Sequence, residues 1–156
     1  MPIKIGYASG VFDLFHIGHL NLLRNARERC DYLIAGVSTP DMAFEVKGTR
    51  PVVPLDERIE IVRSCRYVDQ AVADKYIDKT GAWHEHGFDV YFKGSDWIGT
   101  QKGTDLQQGM AELGVEVVFL PYTPTTSSTE LRRALSRLTI VSGDAAIIAG
   151  DTAATA

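Results

Sequence analysis

The chain has 156 residues, 45% hydrophobic and 23% charged, the balance of one soluble globular domain long enough to bury a core. A formal net charge of -4 speaks against a nucleic-acid binder, which needs a basic stripe, but leaves room for a local basic pocket. Two cysteines, Cys30 and Cys65, lie far apart with no CxxC partner, which speaks against both a disulfide framework and a thiolate zinc site.

In chain order, Ile3 to Ala8 reads as a first strand. Leu20 to Arg29 follows as an amphipathic helix with Leu20, Leu23 and Ala26 on one face. "YLIAGVS" (32–38) is nearly continuous in apolar residues, as a strand buried on both faces of a parallel sheet must be. "PLDERIEIVRSC" (54–65) spaces Leu55, Ile59 and Val62 helically and puts Asp56 and Glu57 in the first turn, where the helix dipole favours acids. "QAVA" (70–73), "DVYF" (89–92) and "VEVVFL" (115–120) are further short strands. Thr104 to Leu113, closed by Gly114, and Thr129 to Leu138 are the later helices. Strand and helix alternate throughout, so the expected class is α/β with a mostly parallel sheet. Ligands then bind outside the carboxyl ends of the strands. "GDAAIIAGDTAATA" at the end is small in side chain and low in charge, and is expected to fray. The apolar part of "MPIKIGYASG" is too short for a signal peptide and no run reaches membrane-span length, so a cytoplasmic protein without membrane contact is expected.

The stretch "SGVFDLFHIGH" (9–19) ends the first strand and opens the first helix. His16 and His19 flank Gly18 there, and three chemistries are open. They could be two satisfied polar groups at a helix start. They could be a metal pair, with His84 and His86 of "WHEHG" as a second pair, although no further ligands stand at a familiar spacing. Or they could form a phosphate site, in which the helix N-terminus offers free N–H groups, Gly18 lets a phosphate approach, and the imidazoles donate to oxyanions. The third uses every residue of the stretch and is preferred.

The run "GVFDLFHIGH" resembles the HIGH-motif nucleotidyltransferase superfamily, specifically its small cytidylyltransferase branch, with glycerol-3-phosphate cytidylyltransferases closest in size and layout. "DERIEIVRSCRYVD" (56–69), "FKGSDW" (92–97) and "TSSTELR" (126–132) match further blocks in order. Class I aminoacyl-tRNA synthetases share the HIGH element, but this chain has no KMSKS segment. The resemblance implies a Rossmann-like nucleotidyltransferase domain over residues 1–140, with 141–156 a flexible or partly ordered tail. It implies attack by a phosphate monoester on the α-phosphate of CTP, with Mg²⁺ accompanying the triphosphate, and a homodimer.

By the same resemblance His16, His19 and Lys47 are catalytic. Ser9, Gly10, Val11, Phe12 and Gly18 lie under the nucleotide, with Gly94, Asp96 and Trp97 beside it and Ser127, Ser128 and Thr129 at a second helix N-terminus. Asp13, Arg58 and Arg66 are expected at the acceptor. Arg58 and Arg66, eight residues apart, would share roughly one helix face. Plainer roles stand beside each: core for Phe12 and Trp97, a local cap for Asp13, an N-cap for the serines, a solvated face for the arginines. "YTPTTSST" carries Tyr122 and Thr125 where glycerol-3-phosphate enzymes have arginine and glycine, and a tyrosine supplies no cationic fork. "KGTRPVVPLDERI" looks more like the adenylyltransferase that makes ADP-heptose. A cytidylyltransferase for a small phosphorylated alcohol is therefore the leading expectation. An ATP-dependent sugar-phosphate adenylyltransferase and a nucleotide-binding module without turnover are the rivals.

Overall fold

The computed structural model describes residues 1–142, with side chains as far as Leu138; the expected tail at 143–156 lies outside the described residues. Five strands form one sheet: β1 (Ile5–Gly10), β2 (Tyr32–Ser38), β3 (Gln70–Asp74), β4 (Val90–Gly94) and β5 (Glu116–Leu120). Every pairing is parallel and the order is β3-β2-β1-β4-β5. The helices are α1 (Ile17–Arg27), α2 (Pro40–Lys47), α3 (Leu55–Arg63), α4 (Lys79–His86), α5 (Gln101–Glu112) and α6 (Ser128–Ser142). A 3-10 turn, Ser95–Trp97, follows β4.

Side chains alternate across the strands with period two, so each strand feeds two cores. Ala8, Leu33, Ala35, Val37, Val90 and Phe92 face one way and pack with Leu23 and Ala26 of α1 and Val62 of α3. Tyr7, Ile34 and Tyr91 face the other way, against Ala82 of α4 and Met110 of α5. With both faces covered, all-apolar strands are the stable solution, as "YLIAGVS" anticipated. The chain winds away from β1 in both directions. The crevice between the carboxyl ends of β1 and β4 is thus the topological switch point, where such sheets bind ligands.

Two helices were not anticipated. α2 starts on Thr39, whose hydroxyl caps Met42 N–H at 3.3 Å, carries Pro40 at its first position, and stops at Gly48 with φ 75°. α4 is capped by Asp78 on Thr80 N–H at 2.9 Å and ends at Gly87. Both are eight residues long, too short to display an apolar period. Strand β1 is displaced by two residues from its expected span, and α1 begins three residues earlier, at Ile17, because His16 caps it. α6 runs to Ser142, past the expected domain boundary at 140. Among the described residues no helix is long and apolar enough to cross a membrane.

Candidate active site

The loop from β1 to α1 is bent by two non-glycine residues in the left-handed region, Phe12 (φ 52°) and Leu14 (φ 51°). Such residues cost about 1–3 kcal/mol each and persist where the surroundings over-determine them. Here Phe12 is locked in the core at 1% exposure. Asp13 between them is fully buried, and its carboxylate accepts Val52 N–H at 2.8 Å and Val53 N–H at 2.9 Å. The β1–α1 loop is thereby fastened to the segment ahead of α3. Arg132 of α6 adds an ion pair to Asp13 Oδ2 at 3.3 Å. Asp13, expected at the acceptor, lines the cavity with its bonding capacity already taken.

His16 and His19 cap α1 reciprocally. Gly18 N–H donates to His16 Nδ1 at 3.0 Å, and His16 N–H donates to His19 Nδ1 at 3.3 Å. An acceptor at Nδ1 leaves the proton of each neutral ring on Nε2. His16 Nε2 lies 3.3 Å from Ser128 Oγ, and Ser128 Oγ donates to the Asp13 carbonyl at 2.7 Å, so the start of α6 is tied to the start of α1. The rings sit 3.9 Å apart between centroids. Desolvation lowers the His16 imidazole and pushes His19 down to about 3, with His16 and Lys47 adding to the shift and Asp13 opposing it. Both are therefore neutral N–H donors at neutral pH rather than proton sources. The helix-start role and the phosphate-donor role coincide, one nitrogen serving each.

Gly18, expected to let a phosphate approach, lines the cavity and also leaves room for its neighbour. A Cβ there would come within 2.8 Å of His16 Cε1 and 3.0 Å of its Nδ1, so the absent side chain makes room for the capping ring.

These groups open onto a cavity of about 480 Å³, within the ~300–1,000 Å³ usual for small-molecule sites. The N-termini of α1 and α6 both face it, and an unpaired helix start attracts anions. Of the residues expected from sequence, Ser9 to Asp13, His16, Gly18, His19, Lys47, Gly94, Asp96, Trp97 and Ser127 to Thr129 all line it. The Ser9 hydroxyl is bonded to Tyr91 OH inside the sheet, leaving its backbone toward the cavity. Lys47 closes α2 at the rim, its ammonium lowered by desolvation and by Arg132.

Arg58 and Arg66 do not join them. Arg58 is 1% exposed and donates to three carbonyls, Val53 O and Ser38 O at 2.8 Å and Val11 O at 2.7 Å. It is a strut under the loop, neither an acceptor ligand nor a solvated helical arginine. α3 ends at Arg63, so the helical register that would align Arg66 with Arg58 has stopped. Arg66 is exposed, its guanidinium 5.0 Å from the Tyr67 ring and donating to Tyr67 OH at 2.9 Å, beside Phe15 and Ile61 on the outer side of α1 and α3.

Sequence reasoning missed Arg132, Lys93 and Lys102, all lining the cavity. Arg132 ends the block "TSSTELR", so its signal was present; as residue five of α6 it lies one turn along from Ser128. Lys93 carried the weaker signal of a charge inside an apolar strand. His84 and His86 lie on α4, His86 stacked on Tyr7 at 5.9 Å, and among the described residues no three His, Cys, Asp or Glu gather as metal ligands. The zinc alternative has no ligand set there.

The family described as cytidylyltransferase-like matches residues 7–134. Ethanolamine-phosphate cytidylyltransferase of Dictyostelium discoideum is 39% identical over 116 residues, covering 72% of this chain and 32% of that protein. Glycerol-3-phosphate cytidylyltransferase of Bacillus subtilis (strain 168) is 32% identical over 130 residues, covering 83% of this chain and 95% of that one. The chain thus spans about a third of the length of the ethanolamine-phosphate relatives and nearly all of the glycerol-3-phosphate one. A lipopolysaccharide core biosynthesis protein from Thermoplasma volcanium GSS1 superposes with a TM-score of 0.66 over 78% of this chain and 98% of that one; at 23% identity the likeness is one of fold.

Proposed function

The chain belongs to the cytidylyltransferase-like family, and from that premise we propose that it transfers CMP from CTP to a small phosphorylated alcohol, glycerol 3-phosphate first among them. One observation carries the reading. Two helix N-termini, two neutral imidazoles that each carry their proton on Nε2, and the cations Lys47 and Arg132 converge on one cavity.

A phosphate monoester is largely dianionic at neutral pH, its second pKa being about 6, so its oxygen attacks without a general base. A bond forms between that oxygen and the α-phosphorus, the bond from the α-phosphorus to the bridging oxygen breaks, and pyrophosphate leaves with the electron pair. The protein's task is alignment and charge stabilisation. The imidazole N–H groups and the two helix starts donate to the oxygens that gain charge. Lys47 and Arg132, close enough to act on each other, neutralise the triphosphate together. His16 exchanges its Nε2–H hydrogen bond to Ser128 for one to a phosphate oxygen, and Ser128 remains held by the Asp13 carbonyl.

Mg²⁺ belongs to the same proposal. Mg²⁺ is commonly held by one or two carboxylates together with substrate phosphates, and Asp96 is the lining carboxylate that makes no hydrogen bond among the described residues. Bound there with the triphosphate, the ion would offset negative charge developing on the leaving pyrophosphate. We also expect a cytoplasmic homodimer; the two free cysteines support a reducing compartment, and light scattering tests the dimer.

Pyrophosphate release, with CTP and ATP crossed against glycerol 3-phosphate and other phosphorylated alcohols and sugars, tests the reading. Turnover with CTP and an alcohol phosphate is expected. Turnover confined to ATP and a sugar phosphate selects the adenylyltransferase rival, and nucleotide binding without release selects the binding module.

A further inference from the structure

Lys93 is an odd residue for its place. It stands in β4, beyond Tyr91 on the same face of the sheet, and its ammonium lies 4.4 Å from the centre of the Trp97 ring. Among the described residues its ammonium makes no hydrogen bond and no ion pair. Burial lowers it to about 8, with Lys79 and Lys47 adding to the shift and Asp96 and Asp74 opposing it.

The two acceptors named in the relatives differ in one chemical respect. Ethanolamine phosphate ends in a cation, whereas glycerol 3-phosphate ends in uncharged hydroxyls. A protein holds an ammonium in two main ways, on an aromatic face or against a carboxylate. In this cavity one face of the Trp97 indole is already covered by Lys93. Of the two lining carboxylates, Asp13 is spent on two backbone N–H groups and Arg132. Asp96, the other, lies within electrostatic reach of both Lys47 and Lys93 and favours their charged forms. Against these two carboxylates stand four cations, Lys47, Lys93, Lys102 and Arg132.

We propose that Lys93, seated on Trp97, is a specificity residue that excludes amino-alcohol phosphates and restricts the acceptor to phosphorylated alcohols with an uncharged, hydroxyl-bearing end. The proposal rests on the cytidylyltransferase reading. Discrimination of this kind works by repulsion, the protein's own cation occupying the position a cationic substrate would need. It is distinct from the missing arginine at Tyr122, whose ring is exposed.

The test measures equilibrium binding of CDP-ethanolamine and CDP-ethylene glycol by calorimetry, since the two differ only in an ammonium or a hydroxyl at the far end. The wild-type protein is expected to bind the hydroxyl compound about tenfold or more tightly. Lys93→Met, similar in length and uncharged, is expected to bring the two within about threefold, mainly by tightening the ammonium compound. Equal binding by the wild type, preference for the ammonium, or a ratio unmoved by Lys93→Met overturns the proposal while the nucleotide site stands. Binding of neither compound overturns the cytidylyltransferase reading and this inference with it. Thermal unfolding of Lys93→Met alone shows whether the variant is folded.

Discussion

Asp13 and Arg132 lie 119 residues apart in sequence and meet at 3.3 Å, joining the β1–α1 loop to α6 across the cavity wall. The carboxylate is fully buried and also holds Val52 and Val53, so one side chain positions three segments. Asp13→Ala would leave two backbone donors without their acceptor and release Arg132. A loss of about 2–4 kcal/mol is expected, together with loss of turnover, read by urea unfolding and pyrophosphate release. Asp13→Asn, which keeps one acceptor oxygen, is expected to fall between the two.

Arg58 serves stability rather than substrate binding. Removing it strips the hydrogen bonds from three carbonyls in the heart of the loop system. Arg58→Ala is expected to cost about 3 kcal/mol or more, with a lower urea midpoint as the readout. Arg66→Ala, by contrast, is expected to leave KM for both substrates unchanged, because Arg66 lies outside the cavity. Raised KM in Arg66→Ala would return that arginine to the site.

For the imidazoles, His16→Ala and His19→Ala are each expected to lower kcat by roughly 10²-fold or more, as for loss of an oxyanion donor. His16→Ala also removes a cap and should cost about 1 kcal/mol of stability. Near-native kcat in a folded variant would reduce the pair to capping.

Gly18→Ala separates space from helix propensity. Alanine in a helix gains about 0.5–1 kcal/mol over glycine, while displacing the His16 ring forfeits a cap worth about 1 kcal/mol. These nearly cancel, so Tm should move little. Activity should fall at least tenfold, since the added Cβ pushes His16 off its position. Unchanged kcat would mean that the ring's placement is irrelevant to chemistry.

Acid should destabilise the fold through His19. Its folded pKa is about 3, below the ordinary value of 6.5, so between those pH values the unfolded chain binds more protons. Stability from this group is complete above pH 6.5 and is lost as pH falls toward 3, at up to about 1.4 kcal/mol per pH unit. The wild-type urea midpoint should therefore fall more steeply over that window than that of His19→Gln. Parallel slopes would show that His19 is not held neutral.

Local pattern determined the class of the fold and the location of the site. Buried parallel strands must be apolar on both faces, and a strand-to-helix junction with donors aimed outward is visible in "SGVFDLFHIGH" itself. Helices α2 and α4 were harder to read because eight residues carry caps but little periodicity. Only the tertiary structure sorted the charges. Arg58, Arg66, Lys93 and Arg132 look alike in sequence; one proved a buried strut, one an exposed stack on Tyr67, and two walls of the cavity. A side chain's role depends on which carbonyl, ring or carboxylate meets its end. Those partners come from the β1–α1 loop, β2, the 3-10 turn and the segment before α3, brought together by sheet order rather than by sequence spacing.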